Sequence, residues 1–308
     1  MSFKPVPPAP RDVADAAAVG QLLRRLGRQG TTPWLNDEVA RRMAGRLPVI
    51  RQPPAQWLDW WGGLGGGAAA VQAVWPQARR VVVEPTDQWR GHSRRALQRP
   101  WWARLRGGPA PASVLAPDEV LPGQAQMLWA NLNLHLSTNP PATLLQWQQA
   151  LGVDGFLMFS TFGPDTLRGL RQLYAQAGWP APQMPFVDMH DIGDQLLAAG
   201  FADPVMDQEM LSLSWSTPEA ALAELRGLGA NLDSARFAGL RTSRWREQLR
   251  QALQDRAGAD GRISMGFELV YGHAFKAAPR PARGEPATVA LEVLRAALPK
   301  ARAASGRL

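Results

Sequence analysis

Residues 57–67, WLDWWGGLGGG, set one carboxylate, Asp59, among three tryptophans and just ahead of five glycines. Glycines let a backbone approach a ligand that any side chain would hold off. The next apolar run, RRVVVE, ends in Glu84, 19 residues beyond Gly65. A strand, a glycine turn, a helix and then an acid at this distance form the nucleotide-binding arrangement of a doubly wound sheet, in which the carboxylate accepts hydrogen bonds from both ribose hydroxyls. Two ligand classes fit. Gly63 and Gly65, with Ala68 as the permitted third residue, match the dinucleotide pattern GxGxxG. Asp59, Gly63 and Gly65 match the S-adenosylmethionine pattern DxGxGxG, with Trp61 in the place of its first glycine. A glycine turn without any ligand is the third reading. A tryptophan in a tight turn is costly if its φ must be positive. Because GLGGG (63–67) is itself a GxGxG, a one-residue slip would leave Trp61 on the strand, facing the core.

Other chemistries are poorly provided for. The four histidines (His92, His135, His190, His273) have no HxH or HExxH spacing and the chain has no cysteine, so no metal site is expected. No GxSxG, SxxK or GxxxxGK motif is present. The thirteen tryptophans mostly occupy apolar runs (Trp57, Trp60, Trp129, Trp147) and read as core; the WW at 101 and 102 could instead form an exposed interaction patch.

From residue 55 onward, apolar runs alternate with helical periodicity, which predicts parallel strands joined by helical crossovers. AQWLDWW, RRVVVE, SVLA, AQMLWANLNL and GFLMFSTFG read as strands, with helices between them. Two amphipathic helices precede this region, within residues 12–26 and 36–47, the second with Asn36 as its expected N-cap. After residue 163 come the helices DTLRGLRQLYAQAG and DMHDIGDQLLAAGF, the strand DPVMDQEMLSLSWS and a helix opened by Thr217-Pro218. RISMGFELVYGHAFK is the last strand. The proline-rich residues 1–11 and the basic tail 277–308 read as flexible.

With 308 residues and 45% hydrophobic content the chain can bury a large core. No run of eighteen apolar residues and no secretory leader pattern appears, so the expectation is a cytoplasmic protein with no membrane span. The net charge of +8, from 34 Lys and Arg against 26 Asp and Glu, favours acidic partners. The basic residues are scattered, as at Arg24, Arg25, Arg79, Arg80, Arg94 and Arg95, and no recognition motif accompanies them, so specific nucleic-acid binding is not expected.

LMFSTFGPDTLRGLR (157–171), FVDMHDIGDQLLAAGFADPVMD (186–207), LRGLGAN (225–231) and FELVYGHAFK (267–276) resemble, in order and spacing, the malonyl-acyl-carrier-protein O-methyltransferases of biotin synthesis. These are a branch of the class I S-adenosylmethionine-dependent methyltransferases, and a related complex I assembly factor shares the segments. The resemblance, from about residue 35 to 276, implies an α/β fold: a Rossmann-like seven-stranded sheet, mostly parallel with one antiparallel strand, flanked by helices. Elements near 12–50 and 178–245 would form a lid within a 12–276 methyltransferase domain. It implies S-adenosylmethionine as cofactor, bound by Asp59, Gly63, Gly65 and Glu84, with Asp118 one place off register near the adenine and Asn131 within the fourth strand. It also implies a malonyl thioester of an acyl carrier protein or of coenzyme A as substrate.

Methylating a carboxylate asks for alignment and charge neutralisation more than for acid–base help. Arg168 and Arg171 are the expected carboxylate clamp and His135 the expected substrate-facing residue. Three departures from the family pattern point the other way: Trp61, Gln126 where the family opens its fourth strand with aspartate, and no tyrosine–aspartate pair in GTTPWLNDEVARRM. They support an alternative, a catalytically degenerate protein of the same fold acting as a binding or assembly factor.

Overall fold

The computed structural model describes residues 13–50, 52–98 and 112–278. The 1–11 segment, the Trp101–Trp102 patch and nearly all of the 277–308 tail lie outside the described residues. Residues 1–277 group into one unit, to which all the elements below belong.

Seven strands form one sheet: β1 (Gln56–Trp60), β2 (Arg79–Val83), β3 (Ser113–Leu115), β4 (Ala125–Ala130), β5 (Leu151–Phe162), β6 (Ala202–Trp215) and β7 (Ile263–Phe275). Their order is β3-β2-β1-β4-β5-β7-β6. Pairing is parallel from β3 through β5, and β7 runs antiparallel to both β5 and β6. This is the expected architecture. The strand order reverses between β1 and β4, so a crevice opens there at the carboxyl ends of the strands, the place where open α/β sheets bind ligands.

Side chains alternate across the sheet and each face buries its own layer. Trp57, Met127, Trp129, Phe156 and Met158 pack against helices α2 (Trp34–Ala44), α4 (Ala68–Val74), α7 (Arg168–Gln176) and α10 (Ser243–Gln254). Leu58, Trp60, Val81, Leu128, Leu157 and Phe159 pack against α6 (Pro140–Ala150) and α8 (Met189–Ala198). Trp57, Trp129 and Trp147 are fully buried, as their apolar surroundings in the sequence require.

Helix α2 is part of this core. Leu35, Val39, Ala40 and Met43, on one face of the helix, are all completely buried. Arg42 bonds Glu209 of β6 at 2.9 Å, Arg46 bonds Asp207 at 2.5 Å, and the Arg46 guanidinium stacks on Tyr271 at 3.9 Å. The helix starts at Trp34 after Pro33, so Asn36 is an interior position and not the N-cap; proline, with its fixed φ, sets the start three residues earlier. Likewise, α8 and β6 within the 178–245 segment belong to the sheet and its layers. What stands over the carboxyl edge is α1 (Ala16–Gln29), α9 (Pro218–Leu228) and part of α10. Asp15 caps α1 by accepting from Ala18 N at 2.8 Å, and Thr217 caps α9.

Candidate active site

The turn after β1 is built on Trp61. Strand β1 ends at Trp60, and Trp61 follows in the left-handed region at φ 54°, ψ 44°. The expected slip that would leave Trp61 on the strand does not occur. Its N–H already reaches past the strand end to Val83 O at 2.6 Å, and its carbonyl accepts from Leu64 N and Gly65 N, so the turn is pinned at this residue. The ring packs against the clusters on both sides of the turn. That packing offsets a backbone cost of about 1–3 kcal/mol. The glycines then form one helical turn, α3 (Gly62–Gly65).

Two buried carboxylates lie under this turn. Asp59 is completely buried and pairs through one oxygen with Arg80, at 2.8 Å to Nε and 2.5 Å to Nη2. A Cβ on residue 62 would collide with that carboxylate, so only glycine fits there. Glu84, also completely buried, accepts through Oε1 from Gly63 N at 2.8 Å and from Ser93 Oγ at 2.5 Å. Burial raises the Glu84 carboxyl to about 7, against the pull of those two donors. Asp59 Oδ1 and Glu84 Oε2 are buried without a partner. Such acceptors are costly, and a ligand that brings hydroxyl or amine donors relieves the cost.

Asn131 ties the loop to its surroundings. Its amide donates to Asn36 O at 2.8 Å and to Gly65 O at 2.5 Å, and its oxygen accepts from Ser160 Oγ at 2.6 Å. Asn36 Nδ2 in turn donates to Leu64 O at 2.9 Å and Thr32 Oγ1 to Gly63 O at 2.9 Å. The side chain of Asn131 is therefore used up within the protein and positions the glycine turn. Asp118, in a short turn after β3, is exposed.

Above the turn, Leu22, Leu23 and Leu26 of α1 close over Leu64, Trp89 and Leu136, and Trp89 Nε1 donates to Leu23 O at 3.2 Å. A cavity of about 770 Å³ begins on the other side of Leu64. It is lined from below by Asn36, Leu132, His135 and Phe162, and from above by α1, α9 and α10. This is the size of an ordinary small-molecule site. The His135 ring packs against Phe162 and Phe186, at 4.9 and 5.7 Å between centroids, and burial lowers its pKa to about 3, so the imidazole is neutral. Its Nδ1 is buried without a partner.

The expected clamp is elsewhere. Arg168 is 64% exposed beside Asp165, Arg171 donates to Thr166 O, and neither lines the cavity, because α7 turns that face to the outside. The cavity is lined by four cations, Arg25, Arg226, Arg246 and Arg250, of which Arg250 pairs with Glu219, itself a lining residue. Arg25 donates to Gly229 O at 2.5 Å, and its Nε is buried without a partner. Burial, and then the neighbouring Arg226 cation, lower the pKa of Arg25, and among the described residues no carboxylate pairs with either arginine. In the sequence Arg25 was one of the scattered basic residues, placed inside the buried stripe of an amphipathic helix, and Arg226 lay in the family-like segment LRGLGAN. Gln126, one of the departures from the family pattern, accepts from Gln56 N at 2.9 Å at the amino end of β1, away from the crevice.

The chain is 40% identical over 253 residues to the malonyl-acyl-carrier-protein O-methyltransferase of Laribacter hongkongensis, a match covering 81% of this chain and 85% of that one. With the same-named enzyme of Gallionella capsiferriformans it shares 36% identity over 274 residues, 87% and 93% of the two chains. With that of Halorhodospira halophila the identity is 34% over 260 residues, 82% and 84%. No protein-family model matches the chain. Among solved structures, the YcgJ protein of Bacillus subtilis has the same fold at 11% identity, with a TM-score of 0.51 over 77% of this chain and 99% of its own. A Bacillus halodurans protein described as a methyltransferase gives 0.52 at 12% identity, over 77% and 99%.

Proposed function

The chain belongs to the malonyl-acyl-carrier-protein O-methyltransferases, and on that premise we propose that it transfers the methyl group of S-adenosylmethionine to the free carboxylate of a malonyl thioester on an acyl carrier protein, at the entry to biotin synthesis and in the cytoplasm. Malonyl-coenzyme A is a second acceptor of the same chemistry. One observation carries the reading. Glu84 stands at the end of β2 with one oxygen bound to the glycine turn and the other buried and, among the described residues, unpartnered, an acceptor for a ribose hydroxyl.

When bound, the cofactor supplies an activated methyl on a sulfonium. Glu84 would hold the ribose, and the turn from Trp61 to Gly65, fixed by Asn131, would bring its backbone against the amino acid end. The cluster of α1 leucines over Trp89 excludes water from that side. Arg226 and Arg246 of the cavity wall would hold and orient the malonyl carboxylate, offsetting its charge while leaving an oxygen free to attack. His135 stays neutral at physiological pH, so it neither adds a competing cation nor protonates the nucleophile. Its unpartnered Nδ1 can take part in a hydrogen bond to the acceptor.

Titrating the protein with S-adenosylmethionine in a calorimeter and assaying methyl transfer to malonyl carrier protein tests the proposal. Heat of binding and a methyl ester on the malonyl group are expected. No heat at millimolar cofactor would overturn it in favour of the non-catalytic assembly reading, which the strained Trp61 turn favours.

A further inference from the structure

A second concavity, of about 340 Å³, opens beside the first and shares Leu22, Arg25, Ala230 and Asn231 with it. Its character is different. Four arginines line it: Arg24, Arg25 and Arg28 on one face of α1, and Arg236 from the segment after α9. Arg236 is matched by Asp15, at 3.0 Å. Among the described residues, Arg24 and Arg28 have neither an acidic partner nor a side-chain hydrogen bond. The lining holds no carboxylate; its other polar side chains are Gln21 and Asn231. Guanidinium groups gathered in one groove offer several donors and positive charge to an anion such as a phosphate.

We infer that this groove is a binding site for the phosphate of a phosphopantetheine arm, and that it docks the substrate by the end remote from the reacting carboxylate. The inference rests on the malonyl-thioester reading of the adjoining cavity and names a subsite for it. The polarity runs in the right order. A carrier-bound thioester has an acyl head, then a neutral amide chain, then a phosphate. The protein offers a cavity with an apolar floor (Leu132, Phe162, Leu170) and then, past Arg25 and Asn231, a groove whose Arg24 and Arg28 have no acidic partner among the described residues. S-adenosylmethionine has no phosphate, so the cofactor does not account for these cations. The phosphate has two sources, a carrier protein, where it is a phosphodiester, or coenzyme A, where it is part of a diphosphate, and either brings an anion to this groove.

Binding of 4′-phosphopantetheine and of pantetheine, which differ only in the phosphate, to the full chain separates the alternatives. Calorimetry is expected to show the phosphorylated compound binding at least tenfold more tightly. The double variant Arg24→Ser/Arg28→Ser, which alters exposed side chains, is expected to abolish that preference. A variant with the same loss of charge elsewhere, Arg94→Ser/Arg244→Ser, is expected to keep it. Equal binding of the two compounds by the unaltered protein, or a preference surviving in the Arg24/Arg28 variant, overturns the site. Holo-carrier protein and coenzyme A, titrated in parallel, tell the two phosphate sources apart by which of them loses affinity in that variant. Phosphate preference without methylation of any malonyl thioester would remove the proposed substrate and leave the groove standing.

Discussion

The two halves of the carboxyl edge of the sheet are built on opposite principles. On the β1–β2 side, nearly every polar group is buried and bound by the chain itself: Asp59 by Arg80, Glu84 by Gly63 and Ser93, Asn131 by Asn36, Gly65 and Ser160. On the β4–β5 side an open cavity is walled by helices contributed from distant parts of the sequence, and among the described residues its Arg25 and Arg226 have no acidic partner while Arg250 pairs with Glu219. The first half is tight enough that one added methyl group is not accommodated, yet it leaves one oxygen of each carboxylate without a donor. Rigid geometry with a single kind of unmet bond suits a ligand of fixed shape. Several cations around a roomy cavity suit a substrate that arrives tethered to something else.

If this contrast is right, Gly62→Ala has the largest effect. The new Cβ meets the Asp59 carboxylate, which the Arg80 pair holds in place, so overpacking is expected to cost about 3 kcal/mol in denaturant unfolding and to remove cofactor binding. An unchanged unfolding midpoint would mean that the β1–β2 side is softer than its contacts imply. Next is Glu84→Gln, expected to weaken S-adenosylmethionine by roughly 10- to 100-fold, the worth of a charge-assisted hydrogen bond. The pH dependence sharpens this. The ribose hydroxyls need the ionised carboxylate, and the free group titrates near 7, so affinity in the unaltered protein should fall as pH drops below 7, by up to tenfold per unit. Calorimetry on Glu84→Gln should show no such slope. The raised carboxyl acts on folding with the opposite sense: because the folded state favours the protonated form, stability from this group is lost as pH rises from about 4.5 through 7.

On the β4–β5 side, Arg25→Met is expected to raise KM for the malonyl thioester by about tenfold, a loss of roughly 1.4 kcal/mol. Arg168→Met should stay within about twofold, since that side chain is outside the cavity. Steady-state kinetics on the pair would break the comparison if the two behaved alike. The smallest effect belongs to Trp61→Gly. Relief of about 1–2 kcal/mol of left-handed backbone strain offsets a half-buried ring of similar worth, so the unfolding free energy should move by less than about 1 kcal/mol.

The α/β alternation, the strands, the glycine turn and Glu84 at the end of β2 were all legible in the sequence, because each depends on residues near one another in the chain: periodicity of 2 or 3.6, a run of glycines, an acid one crossover later. Proximity in sequence decided less about where side chains end up. Arg168 and Arg171 sit in the most family-like block and face away from the cavity, while Gln126, an apparent defect, lies at the far end of the sheet. Trp61 could be read as a misfit, and only the bond from its N–H to Val83 O explains why the turn stays where it is.

The sequence by itself determined the sheet, the cradle and the acid beside it, since short-range patterns specify local backbone and each local choice agrees with the whole. The packing of distant helices decided which cations line the cavity. Arg25 touches Gly229 across 204 residues of chain. No periodicity encodes that meeting, which arises only when packing the apolar faces of α1, α9 and α10 over the sheet brings their polar edges to one cavity.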